Sequence, residues 1–209
     1  MLEQSSVFEK IHQDYLGQIA NMDWAGLADR LGVAVEGNTL VIPLFEVPYR
    51  VSRQDIFDSH GNRPHHAVNV ILFKYLLLCP SNAPQGSDWV TFRHFKDAAP
   101  IVGGFFTNAE RPINLAFEGR VTELSQACTA LGGRPPEGID FSVDLAMRFD
   151  ALPKVPILLL FNDRDVDFPA KCSILFERRA EKYLDMECLA MLGWILADRV
   201  RKESVLGAV

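Results

Sequence analysis

Cysteine is scarce in this sequence, and the few cysteines lie far apart. The 209 residues include four, Cys79, Cys128, Cys172 and Cys188, and no two of them form a C-x-x-C pair. The ligand spacings of zinc and iron–sulfur sites are therefore missing. Four cysteines are also too few for a disulfide framework in a chain of this length. We expect reduced thiols, most of them buried.

Positive charge and long apolar runs are lacking as well. The chain has 21 Lys and Arg against 27 Asp and Glu, a net charge of −6, and its cations are scattered. We therefore expect no binding of nucleic acid or of an anionic membrane. The longest apolar segment, residues 67–79, is too short to span a bilayer and contains Lys74. Residues 1–10 lack the basic start and apolar run of a signal peptide, so we expect a cytoplasmic protein.

The sequence has no catalytic or cofactor motif of high specificity. It lacks the G-x-S-x-G nucleophile elbow, and no predicted strand is followed by G-x-G-x-x-G or G-x-x-x-x-G-K-[ST]. None of the cysteines has a neighbouring His that would lower the pKa of its thiol. These absences leave open a triad whose members meet only in the fold. The cofactor is unknown at this point.

The clearest pattern that is present lies in residues 141–161. Apolar residues alternate with polar or small ones from 141 to 149, which is typical of a strand with one buried face. A turn at residues 151–154 follows. Residues 155–161 are then apolar at every position, as in a strand covered on both faces. We predict that this hairpin forms the centre of a sheet.

The first half of the chain has a similar order of elements. Residues 5–31 show the three- and four-residue spacing of a helix pair, with Gly32 as its end. Residues 33–36 and 39–45 flank Gly37-Asn38, a two-residue hairpin signal. A loop then leads to a helix that starts near Pro64. Because this helix is apolar around most of its circumference, we expect it to be deeply buried.

The remaining segments are mostly helical. Residues 89–95 are predicted as a strand, and residues 112–131 as one helix that Gly132 and Gly133 terminate. Residues 96–107 have no clear periodicity. A short helix near Ala180 and a final helix capped by Asp185 complete the prediction.

These elements predict an α+β fold in one compact domain over residues 1–209. Its antiparallel sheet is built from the two β-hairpins, with the Pro64 and Asp185 helices against its covered face and the N-terminal helices outside. Hairpin turns this short are incompatible with parallel crossovers. The similar order of elements in 33–79 and 139–196 fits a diverged internal repeat, and it equally fits coincidence. The domain has four segments: N-terminal helices 5–31, hairpin and helix 33–79, middle segment 89–133, and hairpin and C-terminal helices 139–203.

Short motifs in the last third of the chain suggest a family. They are LPKVP at 152–156, LFNDRD at 160–165, FPA at 168–170, SILF at 173–176 and ECLA at 187–190. The middle adds WVTFR at 89–93 and GGFF at 103–106, ahead of Arg111-Pro112. Together these motifs, spread over roughly residues 40–200, resemble DUF3786, a family of bacterial and archaeal proteins.

This resemblance implies a metabolic setting and no reaction. The family has no established activity, and its members resemble one another across sulfate reducers, acetogens and methanogens, which implies anaerobic metabolism. Some members resemble fusions to a small cysteine-rich iron–sulfur module. The present chain lacks such a cysteine cluster, so an iron–sulfur or corrinoid link would have to run through a protein partner.

An acidic turn directly follows the apolar strand. Asp163, Asp165 and Asp167 stand at alternating positions, and an extended backbone would turn all three carboxylates to one side. Carboxylate oxygens at this spacing predict a Mg²⁺ or Ca²⁺ site. The glycine and the distal glutamate of a calcium loop are missing, and a solvated turn that caps the strand also explains the three residues.

Three histidines cluster before the Pro64 helix. His60, His65 and His66, with Asp58 as an oxygen ligand, are candidate ligands of a transition metal. On a helix His65 and His66 would diverge by about 100°, so both can hold one ion only if the backbone there is not helical. Surface or capping histidines are the alternative interpretation.

Arg93, Gly103 and Gly104 are the candidate ligand-binding residues. Glycines let a backbone approach a ligand closely, and an arginine can bind a carboxylate or phosphate with two hydrogen bonds. A tight turn packed under the neighbouring aromatic residues is the alternative.

Three functions fit these observations. The first is a non-catalytic binding or accessory module of anaerobic metabolism, linked to an iron–sulfur or corrinoid system. The second is a metal-assisted enzyme with a pocket near Arg93, Gly103 and residues 163–167. The third is an interaction protein that forms a homodimer, or binds another protein, through a sheet edge or the N-terminal helices. A pocket with convergent polar groups favours the enzyme, an apolar pocket the binding module, and a flat apolar patch the interaction protein.

Overall fold

The computed structural model describes residues 2–138 and 141–206. A π-helical turn, Phe106–Glu110, joins two short helices, so the chain is helical from Val102 to Phe117. The helices are α1 (Leu2–Ile19), α2 (Trp24–Leu31), α3 (His66–Leu77), α4 (Val102–Phe105), α5 (Arg111–Phe117), α6 (Val121–Ala130) and α7 (Met186–Leu206). The strands are β1 (Ala34–Glu36), β2 (Thr39–Leu44), β3 (Val47–Val51), β4 (Ile56–Phe57), β5 (Trp89–Thr91), β6 (Leu145–Leu152), β7 (Val155–Asn162) and β8 (Lys171–Glu177).

The strands form two antiparallel sheets of four strands each. The first has the order β1-β2-β3-β4, and the second has the order β5-β8-β7-β6. The predicted α+β class and its two antiparallel hairpins are confirmed. The hairpins lie in separate sheets, whereas the sequence placed them in one. The two sheets meet at a hairpin turn, where the backbone N–H of Phe45 donates a hydrogen bond to the carbonyl oxygen of Ala151 at 3.0 Å.

The central hairpin is present as predicted, but its first strand begins later than predicted. Residues 155–161 are buried except for the half-buried Leu160, as an apolar strand covered on both faces should be. Burial of one such side chain contributes about 1.5–3 kcal/mol. The first strand begins at Leu145, four residues later than predicted, because Leu145 already pairs with Phe161 near the end of β7. Residues 141–144 therefore bend away. Residues 139 and 140, where the predicted C-terminal segment starts, lie outside the described residues.

The first half follows its local sequence signals closely. Gly37 and Asn38 form a two-residue turn between Glu36 and Thr39, and Gly37 has a φ of 60°. Helix α3 begins just after Pro64, with His65 as its N-cap, and half of its twelve residues are buried. The segments 33–79 and 145–206 both run as an antiparallel meander followed by a helix. Descent of the two from one repeat stays a prediction.

The prediction of one helix over residues 112–131 is wrong in one respect, because the structure has two helices there. Helix α5 ends at Phe117, and α6 begins at Val121. Between them Gly119 has a φ of 75°, a left-handed conformation that no helix contains. The unassigned residues 96–107 consist of a turn, a 3-10 helix (Ala99–Ile101), the short helix α4 and the start of the π-helical turn. At the C-terminal helix, Asp185 caps α7 as predicted, since its Oδ1 accepts a hydrogen bond from Cys188 N at 3.0 Å.

Two expectations from composition can be compared with the structure. Within residues 2–138 and 141–206, all four cysteines are free thiols, three of them buried and Cys79 half-buried. None of the helices in the described part of the chain combines the length and the apolar character that crossing a bilayer requires.

Candidate ligand-binding site

A cavity of about 290 Å³ lies where the second sheet meets the helical segment α4–α5. Strand β8 forms one wall, the segment that leads out of β5 forms the second, and the helical segment forms the third. The cavity is lined by Thr91, Phe92, Arg93, Val102, Phe105, Phe106, Glu110, Lys171, Cys172 and Ser173.

The cavity exists because β8 extends beyond its neighbour β5. Strand β7 pairs with β8 from Lys171 onward, whereas β5 pairs only with Leu175–Glu177. Helical side chains take the place of β5 along the rest of this edge. Glu110 Oε1 accepts a hydrogen bond from Ile174 N at 3.0 Å, and Asn114 Oδ1 accepts one from Cys172 N. Side chains four residues apart lie on one helix face, so they meet alternate amides of the strand.

Aromatic rings give the cavity a rigid apolar wall. Phe92 and Phe105 stack with their ring centroids 4.3 Å apart and an interplanar angle of 8°. The edge of Phe176 packs against both rings. Helix α7 lies close behind, because a Cβ added at Gly193 would stand 2.5 Å from the Phe105 ring. This packing fixes α4 against the sheet.

Three charged side chains stand around this apolar wall. Arg93 and Lys171 are exposed at the mouth of the cavity, and Glu110 is half-buried inside it. Burial raises the pKa of Glu110, although its hydrogen bond from Ile174 N and the charges of Arg93 and Lys171 act to lower it. A carboxyl group beside two cations in an aromatic cavity is the most chemically distinctive feature of the described residues.

The cavity contains no activated thiol. Burial raises the pKa of the Cys172 thiol well above its ordinary value, so the nucleophilic thiolate is disfavoured there. Thr91 Oγ1 lies 3.0 Å from His94 Nδ1. Within the described residues, no carboxylate hydrogen-bonds to His94 to orient it as a base.

The predicted ligand-binding residues separate in the structure. Arg93 lines the cavity. Gly103 and Gly104 lie in α4, exposed to solvent, and a Cβ added at either would meet nothing within 4 Å. They form neither a close approach to a ligand nor a tight turn, because the backbone there is helical. Val102 and Phe105, on either side of the glycine pair, line the cavity instead.

A wider groove of about 1100 Å³ adjoins the cavity, and the two share Phe106 and Lys171 as lining residues. It contains most of the predicted acidic turn. The groove is lined by Phe106, Asn114, Val121, Asp144, Asn162, Asp163, Arg164, Asp165, Phe168, Pro169, Ala170 and Lys171.

The aspartates of the turn hold the backbone in place. Asp163 Oδ1 accepts hydrogen bonds from Gly119 N at 2.7 Å and from Arg164 N at 2.8 Å. Asp165 Oδ1 accepts from Asp167 N at 2.8 Å and from Phe168 N at 2.7 Å. Across residues 2–138 and 141–206, no three or more His, Cys, Asp or Glu side chains are grouped as metal ligands. The Mg²⁺ or Ca²⁺ site thus stays a prediction that this geometry does not favour.

The three histidines also serve local structure. His65 Nδ1 accepts a hydrogen bond from Ala67 N at 3.3 Å as the N-cap of α3, and the His66 ring packs on Phe8 with centroids 4.0 Å apart. The backbone N–H of His60 donates to Asp58 Oδ1 at 2.8 Å. These contacts correspond to the capping interpretation of the sequence.

A hydrogen-bonded network around the buried Asp55 was missed by sequence reasoning. His12 Nε2 lies 3.0 Å from Asp55 Oδ1, and Arg63 Nε donates to Asp55 Oδ2 at 2.6 Å. Arg63 also bonds Glu9 at 3.1 Å. Because His12 and Asp55 are only 8% and 7% exposed, this network ties α1 firmly to the β3–β4 loop.

Comparison with known proteins identifies the family of the chain and gives no information about its activity. The sequence model described as a domain of unknown function, DUF3786, matches residues 23–199 of the chain. The chain belongs to the DUF3786 family. The match contains every residue that lines the cavity and the groove, so both belong to the DUF3786 region. No curated protein and no solved structure matches the chain significantly.

Glu110 and Lys171 are the functional candidates of the DUF3786 region that the sequence did not reveal. Glu110 stands in the helical segment and Lys171 at the start of β8, and neither belongs to a motif with Arg93. The only available signal was the position of Glu110 four residues before Asn114, which places both side chains on one helix face.

Proposed function

We propose that this DUF3786 protein is a non-catalytic binding module whose ligand is a small organic anion with an apolar portion. The observation that carries the proposal is the meeting of Arg93, Lys171 and Glu110 around an aromatic cavity. Small-molecule sites are typically concave and apolar, with a few polar groups that fix the orientation of the ligand.

The charges favour an anion. Two cations face one carboxylate whose pKa burial raises, so the lining carries a positive charge when Glu110 is ionised and a larger one when it is protonated. Arginine can bind a carboxylate with two parallel hydrogen bonds. The stacked Phe92 and Phe105 would take the apolar portion of the ligand, as aromatic rings do in many binding sites.

Calorimetric titration with matched probes tests the proposal. Phenylacetate and hexanoate should bind, and the uncharged phenylacetamide and hexanamide should bind at least about tenfold more weakly, because a charge-assisted hydrogen bond contributes about 1.5–3 kcal/mol. Arg93→Ala should weaken carboxylate binding about tenfold. Arg201→Ala removes an exposed arginine of α7 outside the cavity and is the matched control. Equal binding of acids and amides, or equal losses in the two variants, would contradict the proposal.

The metal-assisted enzyme near Arg93, Gly103 and residues 163–167 is the second candidate. One observation favours an enzyme, namely a glutamate of raised pKa in a cavity, which is the usual property of a general acid or base. Turnover of a bound ester or amide probe would establish the enzyme if the turnover is lost in Glu110→Gln. No change of buffer and no added metal ion should restore turnover in that variant. Binding without turnover supports the binding module.

The biological setting stays a prediction. An iron–sulfur or corrinoid link through a protein partner and an anaerobic context are what the family resemblance implies, and a cytoplasmic location is an expectation from the sequence. Homodimerisation is tested by sedimentation of the purified chain, where a concentration-dependent mass would support it.

A further inference from the structure

One oxygen of the Glu110 carboxylate is left for a ligand. Its Oε1 accepts the hydrogen bond from Ile174 N at 3.0 Å. Across residues 2–138 and 141–206, its Oε2 accepts no hydrogen bond, and neither Arg93 nor Lys171 forms an ion pair with it. The charges of both cations nevertheless lower the pKa of Glu110, so they stand near the carboxylate without touching it. The cavity thus holds a carboxylate and nearby cations that are separated by a gap.

Burial leaves the ionised form of Glu110 short of partners. Burial is the main cause of the raised pKa of this half-buried carboxyl group, because it takes the charge out of water. The hydrogen bond from Ile174 N and the two cations offset this cost only in part. A cationic group of a ligand would supply the partner that the carboxylate lacks.

A π-helical turn, Phe106–Glu110, sets the direction of this side chain. The backbone N–H of Arg111 donates a hydrogen bond to the carbonyl oxygen of Phe106, so the turn has one residue more than an α-helical turn. Each residue of an α-helix rotates the side-chain direction by about 100°, and the extra residue therefore decides which way Glu110 faces. Such turns are rare and often occur at functional sites.

The edge of β8 adds a second acceptor to the cavity. In an antiparallel strand the N–H and C=O of one residue point to the same edge. Cys172 N donates to Asn114 Oδ1 in the helical segment, so the carbonyl of Cys172 faces that side as well. Strand β5 ends at Thr91 opposite Leu175, before it reaches this position. Because Cys172 lines the cavity, its carbonyl oxygen and Glu110 Oε2 are both available to a donor there.

We infer that the ligand is a free α-amino acid with an apolar side chain. Its carboxylate binds Arg93, and its ammonium group donates to Glu110 Oε2 and to the carbonyl oxygen of Cys172. Its side chain packs on the stacked rings of Phe92 and Phe105. This inference rests on the proposed function, whose anionic group is the carboxylate, and adds an ammonium group to the ligand.

The geometry favours a single amino acid over a longer molecule. One carbon atom joins the carboxylate of an α-amino acid to its ammonium group, so their binding partners must stand close together without pairing with each other. Arg93 and Glu110 meet this condition. The cavity volume of about 290 Å³ is at the lower limit of the roughly 300–1,000 Å³ usual for ligand pockets. That space suits one small molecule.

Four probes test the inference by calorimetric titration. L-phenylalanine has all three groups, 3-phenylpropionate lacks the ammonium group, and L-phenylalaninamide lacks the carboxylate. Glycyl-L-phenylalanine keeps all three but moves the ammonium group away by one residue, about 3.3 Å. At about pH 6.5 the amino groups are protonated. Phenylalanine should bind at least about tenfold more tightly than each of the other three, because each lacks one charge-assisted hydrogen bond.

Variants assign the ammonium group to Glu110. Glu110→Gln keeps an acceptor for Ile174 N and loses the charge, so the preference for phenylalanine over 3-phenylpropionate should fall below about threefold. Glu118→Gln is the matched control, because Glu118 is exposed at the end of the same helical segment and outside the cavity lining. That variant should keep the full preference. The comparison with glycyl-L-phenylalanine uses the wild type and so does not depend on how either variant folds.

The outcomes separate the inference from the proposed function. If 3-phenylpropionate or glycyl-L-phenylalanine binds as tightly as phenylalanine, the amino acid inference is overturned and the anion site stands. A preference for phenylalanine that persists in Glu110→Gln also overturns the inference. If L-phenylalaninamide binds as tightly as phenylalanine, or if none of the four probes binds, the proposed function itself fails.

Discussion

Glu110 Oε1 accepts a hydrogen bond from the backbone N–H of Ile174 at 3.0 Å, so a helical side chain completes the edge of a β-strand. Exposed strand edges invite pairing with other chains, and proteins commonly cover them. Here the cover also builds one wall of the cavity. The same carboxylate thus closes β8 and faces Arg93 and Lys171.

Replacement of Glu110 should separate these two roles. Glu110→Ala leaves the Ile174 N–H without its acceptor and should lower the free energy of unfolding by about 1–3 kcal/mol. Glu110→Gln keeps an acceptor oxygen and should cost less than about 1 kcal/mol. Urea denaturation at pH 7 measures both values. Equal losses in the two variants would show that the bond to Ile174 contributes nothing.

The pKa of Glu110 gives a pH dependence of known sign. Because the folded protein raises this pKa, folding favours the protonated carboxyl, and this contribution is complete below the unfolded pKa. It is lost as the pH rises from 4.5, the ordinary pKa of a glutamate, through the folded pKa. The unfolding free energy of the wild type relative to Glu110→Gln should therefore fall as the pH rises above about 4.5. A flat difference would contradict the raised pKa.

Breaking the network around the buried Asp55 should lower the free energy of unfolding far more than breaking an exposed ion pair. Asp55→Ala should cost about 3 kcal/mol, since the buried His12 ring and the buried Ile56 N–H would each lose a hydrogen-bond partner. The control is Glu36→Ala, which breaks the pair with Arg50 whose side chains are 56% and 48% exposed. That variant should cost less than about 1 kcal/mol. Thermal or urea unfolding compares the two directly, and similar losses would argue against a stabilising network.

In the turn between β2 and β3, glycine should be tolerated at position 46 and should destabilise the fold at position 45. Phe45 and Glu46 have φ angles of 48° and 63°, a left-handed conformation that is costly for residues other than glycine. Glu46 is exposed, so Glu46→Gly should stabilise the fold by about 1 kcal/mol.

Phe45→Gly is the matched comparison for this turn. Phe45 is 4% exposed and packs under the guanidinium of Arg199, 5.4 Å from the centre of its ring. The variant should lose about 3 kcal/mol or more, because the lost burial exceeds the relief of strain. Denaturant unfolding gives both values, and a gain in stability from Phe45→Gly would refute the role assigned to its packing.

The sequence predicted those parts of the fold that depend on neighbouring residues. The apolar run of β7, the Gly37-Asn38 turn and the Asp185 cap are local signals, and the structure contains all three. The break at Gly119 was missed because it depends on Asp163, 44 residues away in the chain. The strained turn at Phe45 was missed for a similar reason, since distant Arg199 and Ala151 hold it.

The candidate site was predictable only in part. Arg93 was recognised from its residue type and its neighbours. Its companions Glu110 and Lys171 become neighbours only because β5 is shorter than β8, a difference in strand pairing that no sequence motif records. Gly103 and Gly104 were chosen for a close approach of the backbone to a ligand or for a tight turn, whereas the structure has both in helix α4.

The His12–Asp55 contact also shows that the family boundary and the folding boundary differ. The DUF3786 match begins at residue 23, whereas His12 lies before it and stands over Phe73 with ring centroids 5.2 Å apart. A fragment trimmed to the match would uncover this aromatic surface and deprive Asp55 of one partner. Anyone expressing the family region by itself should therefore keep α1 attached, since the core of the region is completed by a helix that its sequence definition omits.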